Sequence, residues 1–182
     1  LQEAYNHNIL LIAASGNNGQ DNIIYPAKYD AVIAVGAVDN NDNLASFSSY
    51  GFEQELVAPG VDINSTTLSN SYFISSGTSL AAPHVAGIVA LMLQQINMTF
   101  SGTYKPWPST LKAILIHTAD YLNPNGNGEV VSNAGPHFRH GYGYVNATKA
   151  IDLIKLDGGT KNIIIEDALS MEQSDHYRFQ VP

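Results

Sequence analysis

The chain has 182 residues, with 8 Lys+Arg against 16 Asp+Glu and a formal net charge of −8. So acidic a chain lacks the basic stripe that displaces counterions from phosphate, which argues against a nucleic-acid binder. The absence of cysteine removes thiol catalysis, thiolate-bound metals and disulfide scaffolds, while 45% apolar residues suffice for a packed core.

In chain order, Leu1 to Asn8 reads as the last turn of a helix and a polar turn. A start inside an element, without Met, gives the expectation of one part of a longer protein. The run Ile9 to Ala14 ends in Ser15-Gly16-Asn17-Asn18-Gly19, and Ala31 to Val38 is a second apolar run. Short, unbroken apolar runs bounded by glycine predict strands of a parallel sheet, buried on both faces. Between them Tyr25-Pro26 is a step that admits a cis bond. Ala45 to Ser49, Glu55 to Ala58 and Tyr72 to Ser75 are shorter predicted strands.

From Gly77 the period changes. Ser79 to Asn97 predicts a helix, and one apolar all round belongs in the middle of a domain. Pro83 places the helix start close to Ser79. The apolar stretch Leu80 to Leu93 holds Pro83, His84 and Gly87 and falls short of the roughly 20 residues of a membrane span. A second helix is expected after Pro106-Trp107-Pro108, capped by Ser109 or Thr110. Asn123 to Arg139 reads as a glycine- and asparagine-rich loop, and Gly141-Tyr-Gly-Tyr leads to a short helix from about Asn146 to Ile154. Asp157 to Thr160 reads as a boundary. Residues 1–156 form the first unit. In 157–182, Ile163 to Ile165 and the alternation Tyr177, Phe179, Val181 predict the first strands of a β-sandwich-like accessory domain.

The segment Gly77-Thr-Ser-Leu-Ala-Ala-Pro-His-Val-Ala-Gly87 carries the most chemistry. It sets a serine where a glycine turn meets the N-terminus of an apolar helix, where backbone N–H groups and the helix dipole favour negative charge. Ser79 as a plain N-cap needs no such string. The string resembles the nucleophile motif of the subtilisin-like serine proteases (subtilases), and Ala13-Ala-Ser-Gly-Asn17-Asn-Gly19 is similar to that family's oxyanion motif. Tyr25-Pro-Ala27, the strand from Val32, Ser46-Phe-Ser-Ser49, Ala58-Pro-Gly60 and Gly141-Tyr-Gly-Tyr-Val-Asn-Ala147 extend the resemblance to about Lys155.

The resemblance implies an α/β fold with a mostly parallel central sheet flanked by helices, incomplete at its N-terminal side. Ser79 would be the nucleophile of an endopeptidase and Asn17 the side-chain donor to the oxyanion. Ala14, Ser15, Gly16, Ile24 and Thr78 would line the substrate. Ile24 stands where the family often has a small residue, so a shallow pocket for small or medium apolar side chains is expected. The resemblance also implies export, a removable pro-segment, polypeptide substrates and a structural calcium ion, with Tyr29, Val32 and Asp39 as matching ligand positions. No organic cofactor is expected.

A serine hydroxyl needs a base, and that base an orienting carboxylate. None of His7, His84, His117, His137, His140 and His176 stands in the family's histidine motif, and no Asp stands in its D-[ST]-G context. In the family both precede the oxyanion Asn. The Asp and His are therefore expected from a preceding part, and this chain alone is expected to be inactive and poorly stable. His84 is expected to be packed or hydrogen-bonded, His117 a core or boundary residue, and His137 and His140 part of a solvated loop. Asp39 to Asn43 reads as an exposed turn, and Asn64, Asn97 and Asn146 match a glycosylation triplet that an Asn-rich chain meets by chance. A catalytically inactive binding or scaffold relative is the rival reading. A nucleotide binder on Gly16 to Gly19 is disfavoured, because no GxGxxG is present.

Overall fold

The computed structural model describes residues 1–123, 136–158 and 163–166. A short helix α1 (Gln2–Asn6) precedes strand β1 (Leu11–Ala14), followed by β2 (Val32–Val38) and β3 (Gln54–Pro59). The three pair in parallel in the order β1-β2-β3, from Leu11 opposite Val32 to Val38 opposite Pro59. Every residue of β2 is buried, as its unbroken Val/Ile/Ala run predicts for a central strand. β1 has a neighbour on one side only among the described residues, and its four residues are half-buried rather than buried on both faces.

Successive side chains of a strand face opposite ways. Ile33, Val35 and Ala37 join Leu56 and Ala58 in the main core, under helices α2 (Thr78–Thr99), α3 (Pro108–Thr118) and α4 (Ala147–Leu156). On the other face Ala34 meets Ile23 and Ala27, and Val38 meets Val57 and Leu122. The β2–β3 register slips between Ala34 and Val35. There the Glu55 carboxylate accepts the Ala34 N–H at 2.6 Å and pairs with Lys112 of α3, tying sheet to helix.

Helix α2 packs on all three strands and on α4 through Ala81, Val85, Val89, Met92 and Ile96. Its opposite side is open, with Leu91 50% and Leu93 43% exposed and Ala86, Gly87 and Ala90 beside them. The all-apolar composition thus predicts a more enclosed helix than the described residues provide. By length and composition alone α2 could cross a bilayer, but its packing makes it the central helix of this fold. Pro83 lies in the second turn rather than the first, so it offers no N–H to the Ser79 carbonyl.

Other local expectations are corrected. Ala45 to Ser49 is no strand; it crosses the end of β2, with Ala45 N–H donating to Ala37 O and Ser48 Oγ accepting the Ala37 N–H. An unpredicted strand β4 (Ile63–Thr67) forms an antiparallel hairpin with β5 (Ser71–Ser75). Its sequence, INSTT, is polar because the hairpin lies on the surface. Helix α3 starts at Pro108 with Trp107 as N-cap, since proline is pre-set for a first helical position. The expected cap Thr110 instead donates its hydroxyl to Glu166. Ile163 to Ile165 form no strand; Ile164 packs against the main core, and Glu166 accepts the Trp107 N–H. Tyr177, Phe179 and Val181, and most of the loop from Asn123 to Arg139, lie outside the described residues. Tyr25-Pro26 is cis, and α4 is capped by Asn146, whose side chain accepts the Lys149 N–H.

Candidate active site

Strand β1 and helix α2 build the site from opposite directions. β1 runs out through buried Ser15 and Gly16 into Asn17. Gly16 has φ +117°, and a Cβ there would stand 2.9 Å from Ser49 Oγ and 3.2 Å from Ile24 Cγ1. Both the backbone and the space require glycine. On the other side, the Gly77 N–H donates to Gly60 O at 2.8 Å and fixes the turn into α2. Thr78 and Ser79 are the first two helical residues, where N–H groups have no intrahelical acceptor.

Thr78 joins the two elements. Its N–H and its hydroxyl both donate to Asn17 Oδ1 at 2.9 Å, and its Oγ1 accepts the Gly16 N–H at 3.2 Å. Two donors on one amide oxygen fix which end of the Asn17 side chain is which, and they turn its NH₂ away from Thr78. A Cβ placed on Gly77 would stand 3.2 Å from Ser79 Oγ and 3.5 Å from Asn17 Nδ2. An exposed hydroxyl and an exposed carboxamide donor thus converge on one small space. A hydroxyl beside fixed N–H donors at a helix N-terminus can hold a carbon centre whose oxygen gains negative charge.

The remaining predicted residues divide. Ala14 ends β1, and Ile24, 42% exposed, lies against Gly16 with its N–H on Ser15 O at 3.0 Å. Ile24 therefore borders the oxyanion segment rather than turning into the core. Tyr29 O accepts the Val32 N–H at 2.8 Å. Asp39 accepts the N–H groups of Asn41 and Asn43 at 2.8 and 2.9 Å. Partial burial works against its charge, but these donors prevail and hold its carboxyl below the usual range. Among the described residues no group of three His, Asp or Glu side chains is placed to hold a metal ion.

No described histidine bonds Ser79. His84 Nδ1 lies 2.8 Å from Leu80 O, a helix-bound histidine as expected. His117 is exposed near the end of α3 on a cavity of about 440 Å³ shared with Trp107 and Glu166, not in the core. His140 is not solvated but 1% exposed, with neither ring nitrogen hydrogen-bonded. His176 lies outside the described residues. The orienting part of Thr78 was not foreseen in the sequence; the only signal was its place in the GTS triplet beside Ser79.

A family model described as the subtilase family matches residues 1–144. The chain belongs to the subtilase family. Among its relatives, this subtilase chain is 44% identical over 154 residues to Subtilisin DY of Bacillus licheniformis, covering 82% of the chain and 49% of that protein. It is 41% identical over 148 residues to a thermophilic serine proteinase of Bacillus sp. (strain AK1), covering 81% and 32%. A solved structure of the prenylagaramide maturation protease PagA superposes with TM-score 0.70 at 31% identity, covering 84% of this chain and 53% of that one. The subtilase chain thus spans about half or less of these relatives' length.

Proposed function

We propose that this chain is the C-terminal part of the catalytic domain of an exported serine endopeptidase that cleaves polypeptides through an acyl-enzyme on Ser79. The reading is carried by the convergence of Ser79 Oγ and Asn17 Nδ2 on one space, with Thr78 holding the amide. Ser79 Oγ attacks the scissile carbonyl, and Asn17 Nδ2 and the Ser79 N–H receive the charge that develops on its oxygen. The proton acceptor and its orienting carboxylate come from a preceding part of the protein, together with a removable pro-segment. In support, among the described residues β1 has one free edge, where a further strand would pair, and α2 has one bare apolar side facing away from the sheet. Neither nucleic acid nor a membrane span belongs to this reading.

The substrate side chain before the scissile bond meets Ala14, Ser15, Gly16 and Ile24. The Ile24 side chain stands against Gly16, its Cγ1 3.2 Å from where a Cβ there would lie, which supports a shallow recess. Small or medium apolar residues are the expected preference, and a peptide panel varied at that position checks it. Equal cleavage after large aromatics removes the preference. Calcium enters only as a structural ion at Tyr29, Val32 and Asp39. The Asp39 carboxylate already accepts the Asn41 and Asn43 N–H groups of its own turn, and no step depends on the ion. A melting temperature unmoved by added calcium removes it. Residues 157–182 as the start of a β-rich accessory domain belong to the same proposal, although Ile163 to Ile165 are not its first strand and Ile164 packs on the main core.

The deciding experiment is fluorophosphonate labelling of the full-length protein. Label on Ser79, absent from Ser79→Ala and from the isolated 182-residue chain, is expected. An unlabelled full-length protein would point to the catalytically inactive scaffold instead.

A further inference from the structure

Ser49 touches the segment around Asn17 at three places. It is wholly buried, although it belongs to neither β1 nor α2. Its N–H donates to Gly16 O at 2.8 Å, its carbonyl accepts the Ser15 hydroxyl at 2.9 Å, and its own Oγ accepts the Asn18 N–H at 3.2 Å. The bonded residues flank Asn17 on both sides. Two residues earlier, Phe47 O takes the Gly19 N–H at 2.7 Å and extends the same grip. Thr78 fixes the Asn17 side chain; Ser49 fixes the backbone that carries it.

We infer that Ser49 is a positioning residue for the oxyanion donor, its hydroxyl setting where Asn17 Nδ2 stands. The inference rests on the serine-peptidase reading above. An oxyanion donor works when it lies about 2.7–3.1 Å from the position the developing charge takes. A displacement of about 1 Å costs as much as 100-fold in rate. Of the three contacts, two are made by the Ser49 backbone and survive any substitution. The contact with Asn18 is made by Oγ alone, and it is the one on the C-terminal side of Asn17. Without it the Asn18 N–H loses its acceptor, and beyond Asn17 the backbone of the segment is held by the Gly19 N–H on Phe47 O. The adjoining Gly16 has no Cβ, so the Ser49 hydroxyl meets the segment without obstruction.

A merely structural serine and a positioning serine differ in what their loss changes. In the full-length protein Ser49→Ala is expected to lower kcat about tenfold, leave KM within about twofold, and leave the melting temperature nearly unchanged. The loss should vanish in an Asn17→Ala background, because no donor remains to be misplaced. Amide exchange at Asn18 and Gly19 is expected to quicken at least tenfold, and Ser49→Cys, a poorer acceptor of similar volume, should fall between. Unchanged kcat with unchanged exchange overturns the inference, as does a loss that persists at full size in the Asn17→Ala background. If Ser79→Ala leaves turnover intact, the peptidase reading fails on its own, and exchange at Asn18 still decides whether Ser49 holds the segment.

Discussion

Asn17 carries its orientation in its partners. Both Thr78 donors meet one oxygen, so the amide cannot flip without losing two hydrogen bonds. Thr78→Val keeps the backbone donor and the shape but removes the hydroxyl. The hydroxyl's bonds to Asn17 Oδ1 and from the Gly16 N–H are both lost; at about 1 kcal/mol net for each, turnover is expected to fall roughly 5- to 30-fold with KM nearly unchanged, as steady-state kinetics on the full-length protein would show. His140 makes the opposite case, a polar ring with no partner at all. Burial, reinforced by the neighbouring His137 and Arg139, pushes its pKa down to about 4. In the unfolded chain the ring protonates near 6.5, so between about 4 and 6.5 the unfolded state binds more protons. The stability present above pH 6.5 is therefore lost as pH falls toward 4, on the order of 3 kcal/mol from this group. Urea unfolding at pH 7, 5 and 4 should show the decline, and His140→Phe should flatten it. An equal slope in the variant would exclude His140 as its source.

At the scale of elements, the glycine before α2 matters for the space it leaves. Gly77→Ala would place a methyl 3.2 Å from Ser79 Oγ and 3.5 Å from Asn17 Nδ2, where a reacting carbonyl must come. The expected result is a loss of at least 100-fold in kcat/KM with little change in melting temperature; wild-type turnover would contradict the convergence. The same elements divide by how legible they were. ILLIAA and VIAVGAV announce parallel strands because both faces of such a strand are apolar, and α2 announces itself by length and period. The β4–β5 hairpin was half-missed, since a surface strand such as INSTT needs no apolar side. Ala45 to Ser49 looked like a strand, but its polar atoms serve as clasps for β2 and the Asn17 segment. Local composition does not distinguish a serine that packs from one that holds a neighbour's backbone.

For the whole molecule, the nucleophile and the oxyanion donor were legible because each lies in a contiguous string: Gly77 to Gly87 and Ala13 to Gly19. Their relation was not, for Thr78 and Ser49 reach residues 61 and 31 positions away along the chain. Contacts at that separation arise only when α2 and the segment 45–49 pack against the end of β1. The buried state of His140 was hidden for the same reason, since its enclosure is built at the tertiary level rather than by its Arg and Gly neighbours.

Helix α2 carries Ser79 at its tip and bare Leu91 and Leu93 along its flank. The first turn is pinned apart from that flank, by the Gly77 N–H on Gly60 O and by Thr78 on Asn17, so whatever covers the bare leucines meets a helix whose reactive end is already anchored.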